Sequence, residues 1–275
     1  MKGNKLTKVV ISIAFVLIII GSIFIGVGFM RGGNFKYMSI NRSSISWWPF
    51  DNDYDFDMED NHSKTNSSSQ NLQLQNDIDN LIVNADLGDI EIIRGNSNKV
   101  ILNKMDKKYV NIDVKDKITN ISIKHDDSYS NSNHEKIIIQ LKDKEYNDIQ
   151  IKSDLGKIKI DNLHSSKFKV SAKLGEIEME NIYSNDLYVD QSSGDVDIEG
   201  ILLGNSIIKN SLGKIDVEIR GKQSDYRYDV KTSLGKTEIQ NEEFKGSASV
   251  SQGDTNARNY LKINCSVGDV ELSFH

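Results

Sequence analysis

The chain has 275 residues, 37 % of them hydrophobic, with 34 Lys+Arg against 40 Asp+Glu and 19 glycines, which suits one or two ordinary domains and excludes collagen, coiled coil and general disorder. One proline and one cysteine rule out a proline-rich stalk and a disulfide-stapled module, so stability has to come from packed apolar surface. The net charge of −6 hides an asymmetry: residues 1–50 carry six basic and no acidic side chains, leaving 28 basic against 40 acidic in residues 51–275, a poor balance for a nucleic-acid partner.

In chain order, a basic tail (residues 1–8) precedes 22 uncharged residues from Val9 to Met30. As a helix these span about 33 Å against a hydrocarbon core of about 30 Å. The run is long for a signal-peptide core and no A-x-A site follows, so an uncleaved single-pass anchor is expected. Lys2, Lys5 and Lys8 before the span are matched by Arg31, Lys36 and Arg42 after it. Because the lysines crowd a tail of only eight residues, the C-terminal part is placed outside the cell. Residues 31–77 read as a polar and acidic linker. Asp51, Asp53 and Asp55 alternate as in an EF-hand loop, but Phe56 and His62 occupy the glycine and glutamate positions that such a loop requires. Trp47, Trp48 and Phe50 suit either the lipid interface or one end of the folded domain.

Beyond residue 78 the sequence repeats. SDLGKIKI around Gly156, AKLGEIEM around Gly175, QSSGDVDI around Gly194 and NSLGKIDV around Gly213 are 19 residues apart. Weaker copies surround Gly88, Gly235 and Gly268, and SQGD at Gly253 is a doubtful one. Aliphatic residues stand five and one before the glycines and two and four after them, for example Val170, Leu174, Ile177 and Met179 around Gly175, with Ser193 and Thr237 as the exceptions. That is the pattern of period-2 strands flanking a corner, with the glycine supplying positive φ or a close backbone approach. Second corners fall at Asp161-Asn162-Leu163, Glu180-Asn181-Ile182 and Glu199-Gly200-Ile201.

Such units bury an apolar face only by stacking, so the expected fold is all-β: a single-domain β-solenoid of about 19-residue coils over residues 78–275, with four inward aliphatic positions per coil. Residues 103–148 break the repeat with a hairpin around Lys115-Asp116-Lys117 and a strand in EKIIIQLKDK. They are expected to form irregular first coils or an edge decoration. The residue after each glycine forms an outward charged column, in which chain order puts Lys157 over Glu176 and Asp195 over Lys214, with Lys214 repelling Lys236.

Signatures of catalysis are absent from the sequence. The histidines His62, His125, His134, His164 and His275 show no metal-ligand spacing, and no nucleophile elbow or phosphate loop occurs. Cys265 falls three before Gly268, in register with the small residues Ala85, Ser153, Ala172 and Thr232, as a buried structural residue would. No catalytic, cofactor or metal residue is assigned. The residues singled out are the repeat glycines Gly88, Gly156, Gly175, Gly194, Gly213, Gly235 and Gly268.

The units SxLGKIxI and SSGDVDIEG, repeated after one N-terminal span, resemble the bacterial putative adhesin family, a domain of unknown function built of β-strand repeats. The resemblance covers about residues 78–274 and implies a membrane-anchored envelope protein of a low-GC Gram-positive type, associated with adhesion or envelope stress. Its motif is structural and brings no active site. Three functions follow as expectations. The preferred one is a non-catalytic binding or scaffold module that meets a wall polymer or envelope protein. The second is a self-assembling polymer in which an uncapped terminal strand, Val270 to Phe274, stacks on another molecule. The third is a wall-polysaccharide-cleaving enzyme using Asp195 and Asp197.

Overall fold

The computed structural model describes residues 70–75, 77–125, 135–240 and 242–275. The tail 1–8, the span 9–30 and residues 31–69 of the linker lie outside the described residues. Among the described residues nineteen strands form one curled all-β sheet. The only helical turns among the described residues are two three-residue 3-10 segments, Lys107–Tyr109 and Gln223–Asp225. Residues 64–275 are a compact unit with its own apolar core, which runs from Leu74 to Phe274.

The strands are stacked in rungs. Each rung but the one of residues 118–142 has a first arm ahead of a glycine and a second arm after it, and each arm pairs in parallel with the equivalent arm of the next rung. β8 (Glu145–Leu155) and β9 (Ile158–Asp161) make one rung, and β10 (His164–Leu174) lies on β8 with Val170 opposite Ile151. β11 (Ile177–Ser193) and β12 (Val196–Leu212) each serve as second arm of one rung and first arm of the next. Ile177 thereby meets Ile158 on one side and Val196 on the other, and Val189 meets Val170 and Ile208. β13 (Ile215–Ile219) continues the second-arm ladder. The inward positions five before and two and four after each glycine are buried, as at Val189, Val196 and Ile198. Left-handed Asn162 and Asn181 turn two of the second corners.

At both ends the rungs leave chain order. Near the N terminus, the rung of β2 (Asn80–Ala85) and β3 (Asp89–Gly95) is clamped between β8/β9 and an outer rung of β6 (Ile118–Ile123) and β7 (Lys136–Lys142). Near the C terminus, the rung of β18 (Asn259–Val267) and β19 (Val270–Phe274) is clamped between β12/β13 and an outer rung of β14 (Tyr226–Leu234) and β15 (Lys236–Ile239).

Antiparallel strands then close each end. β5 (Val110–Lys115) pairs with β6, while β4 (Lys99–Asn103) pairs with β7 and carries β1 (Gln70–Gln73). At the other end β17 (Ala248–Gln252) pairs with β14 and β16 (Glu242–Lys245) with β15. Residues 103–148 thus supply the outer rung and part of its cap. Their hairpin turns at Asp116 and Lys117, both at positive φ.

Three expectations are corrected. The strand Val270–Phe274 is not an uncapped edge, because β13 and β15 pair with it on its two sides; the polymer reading loses its premise. Gly253 belongs to no rung corner, since it follows the capping strand β17 and sits against Tyr226. The residue one before the glycine is not inward in five of the seven copies: Leu155, Leu174, Leu212, Leu234 and Val267 are 41–63 % exposed. Alternation holds along a strand, but at this position the chain is already turning away from the core at the glycine corner.

Candidate binding surface

The repeat glycines stand in single file along the corner, in the spatial order Gly88, Gly156, Gly175, Gly194, Gly213, Gly268, Gly235. Each of these seven has φ between 109° and 154°. A Cβ on Gly194 would lie 1.5 Å from the Gly175 carbonyl oxygen, and one on Gly268 would lie 1.9 Å from that of Gly213. The glycines are therefore required by rung spacing as well as by φ. Each amide in the file except the last donates to the carbonyl one before the next glycine, as Gly175 does to Ser193 at 3.1 Å.

Side chains three before the next glycine cap the corner carbonyls from inside. Gln191 Nε2 donates to the Gly175 carbonyl at 2.7 Å, Asn210 Nδ2 to that of Gly194 at 2.8 Å, and Cys265 Sγ to that of Gly213 at 3.5 Å. Cys265 is buried, and desolvation pushes its thiol pKa up, which suppresses the reactive thiolate. In the outermost rung Thr232 and Thr237 meet across the interior at 2.8 Å, so Thr237 has a partner where other rungs place an aliphatic residue.

The outward faces carry the chemistry. On the second arms, Glu91, Lys159, Glu178, Asp197, Asp216, Glu271 and Glu238 follow one another across the rungs. At one end of this row is a partly open depression lined by Glu91, Lys136, Lys157, Lys159 and Glu178. Partial burial opposes ionisation of Glu178, yet Lys157 and Lys159 both contact its carboxylate and hold it well below the usual range. Farther along, no lysine stands directly against Asp197. Desolvation on the crowded sheet, then Asp216, Glu178 and Glu218, push its pKa up to about 6, with Lys214 opposing. Lys214 pairs instead with Asp216 at 2.7 Å and Glu271 at 3.1 Å.

The column after the glycines differs from the expectation drawn from chain order. Lys157 does pair with Glu176, at 3.3 Å. Asp195 accepts from the Lys214 backbone amide at 2.7 Å, as Asp89 does from Lys157 and Asp269 from Lys236. Lys214 and Lys236 are kept apart because the rung of Asp269 lies between them.

The first arms present a mixed face. Gln150, Lys169, Tyr188, Ile207, Lys262 and Asp229 form one row across them. Lys209 lies 5.4 Å over the Tyr188 ring and Arg227 4.4 Å over that of Tyr260. The described histidines are dispersed: His125 contacts Glu135 at 2.8 Å, His164 lies near Tyr183, and His275 contacts Ser273. Among the described residues no three His, Cys, Asp or Glu side chains are grouped to hold a metal ion. Nor is any described helix long and apolar enough to cross a membrane.

No curated protein matches the sequence. Among solved structures, a putative cell adhesion protein from Clostridium sporogenes is similar at 18 % identity and a TM-score of 0.47, covering 76 % of this chain and 100 % of that one. A putative adhesin from Bacteroides fragilis is similar at 13 % identity and a TM-score of 0.31, covering 77 % of this chain and 98 % of that one. Another, from Parabacteroides distasonis, is similar at 13 % and 0.29, covering 74 % of this chain and 96 % of that one. The sequence matches the Toastrack DUF4097 family over residues 31–273, and the chain belongs to that family.

Proposed function

We propose that this chain is a non-catalytic binding and scaffold module, a β-solenoid anchored by residues 9–30 and displayed outside the cell. The observation that carries this reading is the arrangement of its polar side chains. They stand in straight outward rows across consecutive rungs, about 4.8 Å apart, and the two depressions described on the stack are partly open to solvent. A surface of that kind recognises an extended partner by repetition along the stack, in the manner of repeat proteins, and the partner class is a wall polymer or an envelope protein.

The polysaccharide-cleaving reading is not favoured. Asp195 accepts from a backbone amide through its carboxylate, and neither it nor Asp197 lines either of the two depressions described. Affinity capture from intact envelope on immobilised residues 64–275 tests the binding role. Capture of one wall polymer or envelope protein by the native surface, lost when Asp197 and Asp216 are both changed to Lys, is the expected result. Equal capture by both, or none, overturns it. Protease digestion of intact cells tests display, with degradation of the C-terminal part expected.

A further inference from the structure

The position one before each corner glycine builds a row that the binding reading leaves unused. In spatial order it runs Leu87, Leu155, Leu174, Ser193, Leu212, Val267, Leu234, each in register with the next along the first arms from Leu155 onward. From Leu155 onward every apolar member is 41–63 % exposed. The row spans about 29 Å at the usual strand spacing. An apolar ridge of this length on a sheet corner, broken only at Ser193, is a contact in search of a partner.

We propose that this ridge is a self-association surface on which a second copy of the chain packs antiparallel, about a two-fold axis at Ser193. Two features of the row select that occupant. First, the ridge is palindromic. Reversing it about Ser193 sets Leu174 against Leu212, Leu155 against Val267 and Leu87 against Leu234, so every apolar side chain gains an apolar counterpart and the two serines meet on the axis. Second, the adjoining column after the glycines is self-complementary in charge. It reads Asp89, Lys157, Glu176, Asp195, Lys214, Asp269, Lys236 in the same order. A two-fold axis perpendicular to the ridge brings this column against its own reverse, so that Glu176 faces Lys214, Lys157 faces Asp269 and Asp89 faces Lys236. Only Asp195 meets its like. Isologous pairing requires this self-complementarity, and rim charges of this kind set register more than affinity.

The ridge is narrower than a standard interface of about 800 Å² per partner, so the dimer is weak, with a dissociation constant of roughly 10–500 µM. The pairing also separates the two points of chain entry, since β1 lies at one end of the stack. Two anchored copies would then meet from facing surfaces; that consequence alone rests on the surface-display reading, and the test below does not use it.

Residues 64–275 form their own compact core and are the material for the test. Sedimentation equilibrium is expected to show the average mass rising towards twice the monomer across that concentration range. Leu174→Ser with Leu212→Ser should abolish the rise while leaving the melting temperature nearly unchanged, because both side chains are more than half exposed. Glu176→Lys or Lys214→Glu alone should each weaken the dimer roughly tenfold, and the double reversal should restore it, since each dimer contains two such pairs. In a Cys265→Ser background, a short bis-maleimide should couple Ser193→Cys to itself. It should not couple Leu234→Cys to itself, whose copy lies about 29 Å away in the antiparallel pair. A protein that stays monomeric at millimolar concentration, a dimer indifferent to the two leucine changes, or self-coupling at Leu234→Cys would each overturn the proposal.

Discussion

Between Glu145 and Ile219 the rungs lie in the order the chain writes them, whereas at each end the terminal rung is slipped beneath one written nearer the middle. Gly156, Gly175, Gly194 and Gly213 are neighbours in sequence and in space. Gly88 neighbours Gly156 across 68 residues, as the Lys157 amide donating to Asp89 records, and Gly268 is interposed between Gly213 and Gly235. The difference shows how the stack handles its ends. In the middle any rung is covered by the next. A terminal rung laid down in order would offer a bare row of amides and carbonyls to any passing strand. Clamping it inside a rung written nearer the middle of the chain covers both of its edges, and the edges that do reach solvent belong to short, charged or polar hairpin strands such as β5 and β16.

Removing the clamped rung breaks that scheme most severely. Deleting residues 259–275 takes away Leu261, Ile263, Val270 and Leu272, all 1 % exposed or less, together with the partners of both β12/β13 and β14/β15. At roughly 1.5–3 kcal/mol per buried aliphatic side chain, the loss approaches the entire stability of an ordinary domain. Hydrogen exchange should show residues 220–258 unprotected. Retained protection there would mean that the outer rung can dock directly on the Gly213 rung, and that clamping is not what holds the C-terminal end.

A smaller effect separates stack from cap at a single atom. At Gly194 an added methyl would collide with the Gly175 carbonyl in a backbone of φ 124°, whereas at Gly246, in the C-terminal cap, it meets nothing within 4 Å at φ 85°. Gly194→Ala should cost about 3–5 kcal/mol and Gly246→Ala about 1–2 kcal/mol in denaturant unfolding. Equal losses would show that φ alone, and not rung spacing, selects the glycines.

The contents of a rung were legible in the sequence, and the order of the rungs was not. Spacing fixed which residues turn the corner, and alternation fixed which aliphatic side chains point inward, because both are local properties of a strand and its turn. Rung order depends on which of several near-equivalent surfaces meet. The rungs of Gly213, Gly235 and Gly268 carry such similar inward sets, as at Ile208, Val230 and Ile263, that sequence alone does not rank them. The leucine ridge was misread for a related reason: Leu174 shares the parity of Val170, but its side chain falls where the strand ends. Gln191 and Asn210 were passed over because polar residues at an inward position look like exceptions. Their purpose appears only when the neighbouring corner carbonyl is in place.

Those two capping side chains provide the third test. Gln191 serves a middle corner from a fully buried position. Gln191→Leu keeps the volume and leaves the Gly175 carbonyl without that donor, at an expected cost of about 1–3 kcal/mol. Cys265→Ala, which removes only a weak 3.5 Å thiol contact next to the clamped end, should cost less. The reverse ranking would mean that filling space, rather than satisfying the carbonyl, governs this column.

The smallest expected effect concerns charge in the middle of the stack, where rung order places acid upon acid. Asp197 stands in register with Glu178 and Asp216, and its carboxyl is pushed up to about 6. An aspartate whose pKa is higher in the folded than in the unfolded chain binds its proton more tightly when folded. The folded state is therefore penalised above about pH 6, progressively less between 6 and the unfolded value near 4, and not at all below that. Because Asp197 is exposed, solvent screening keeps the penalty below about 1 kcal/mol. Asp197→Asn should thus raise the melting temperature slightly at pH 7.5 and have no effect through this group at pH 3.5, whereas Asp195→Ala, which removes the acceptor of the Lys214 amide, should lower it at pH 7.5. A destabilised Asp197→Asn at pH 7.5 would mean that this carboxylate is held by a favourable contact, contrary to the like-charged stacking that its register imposes.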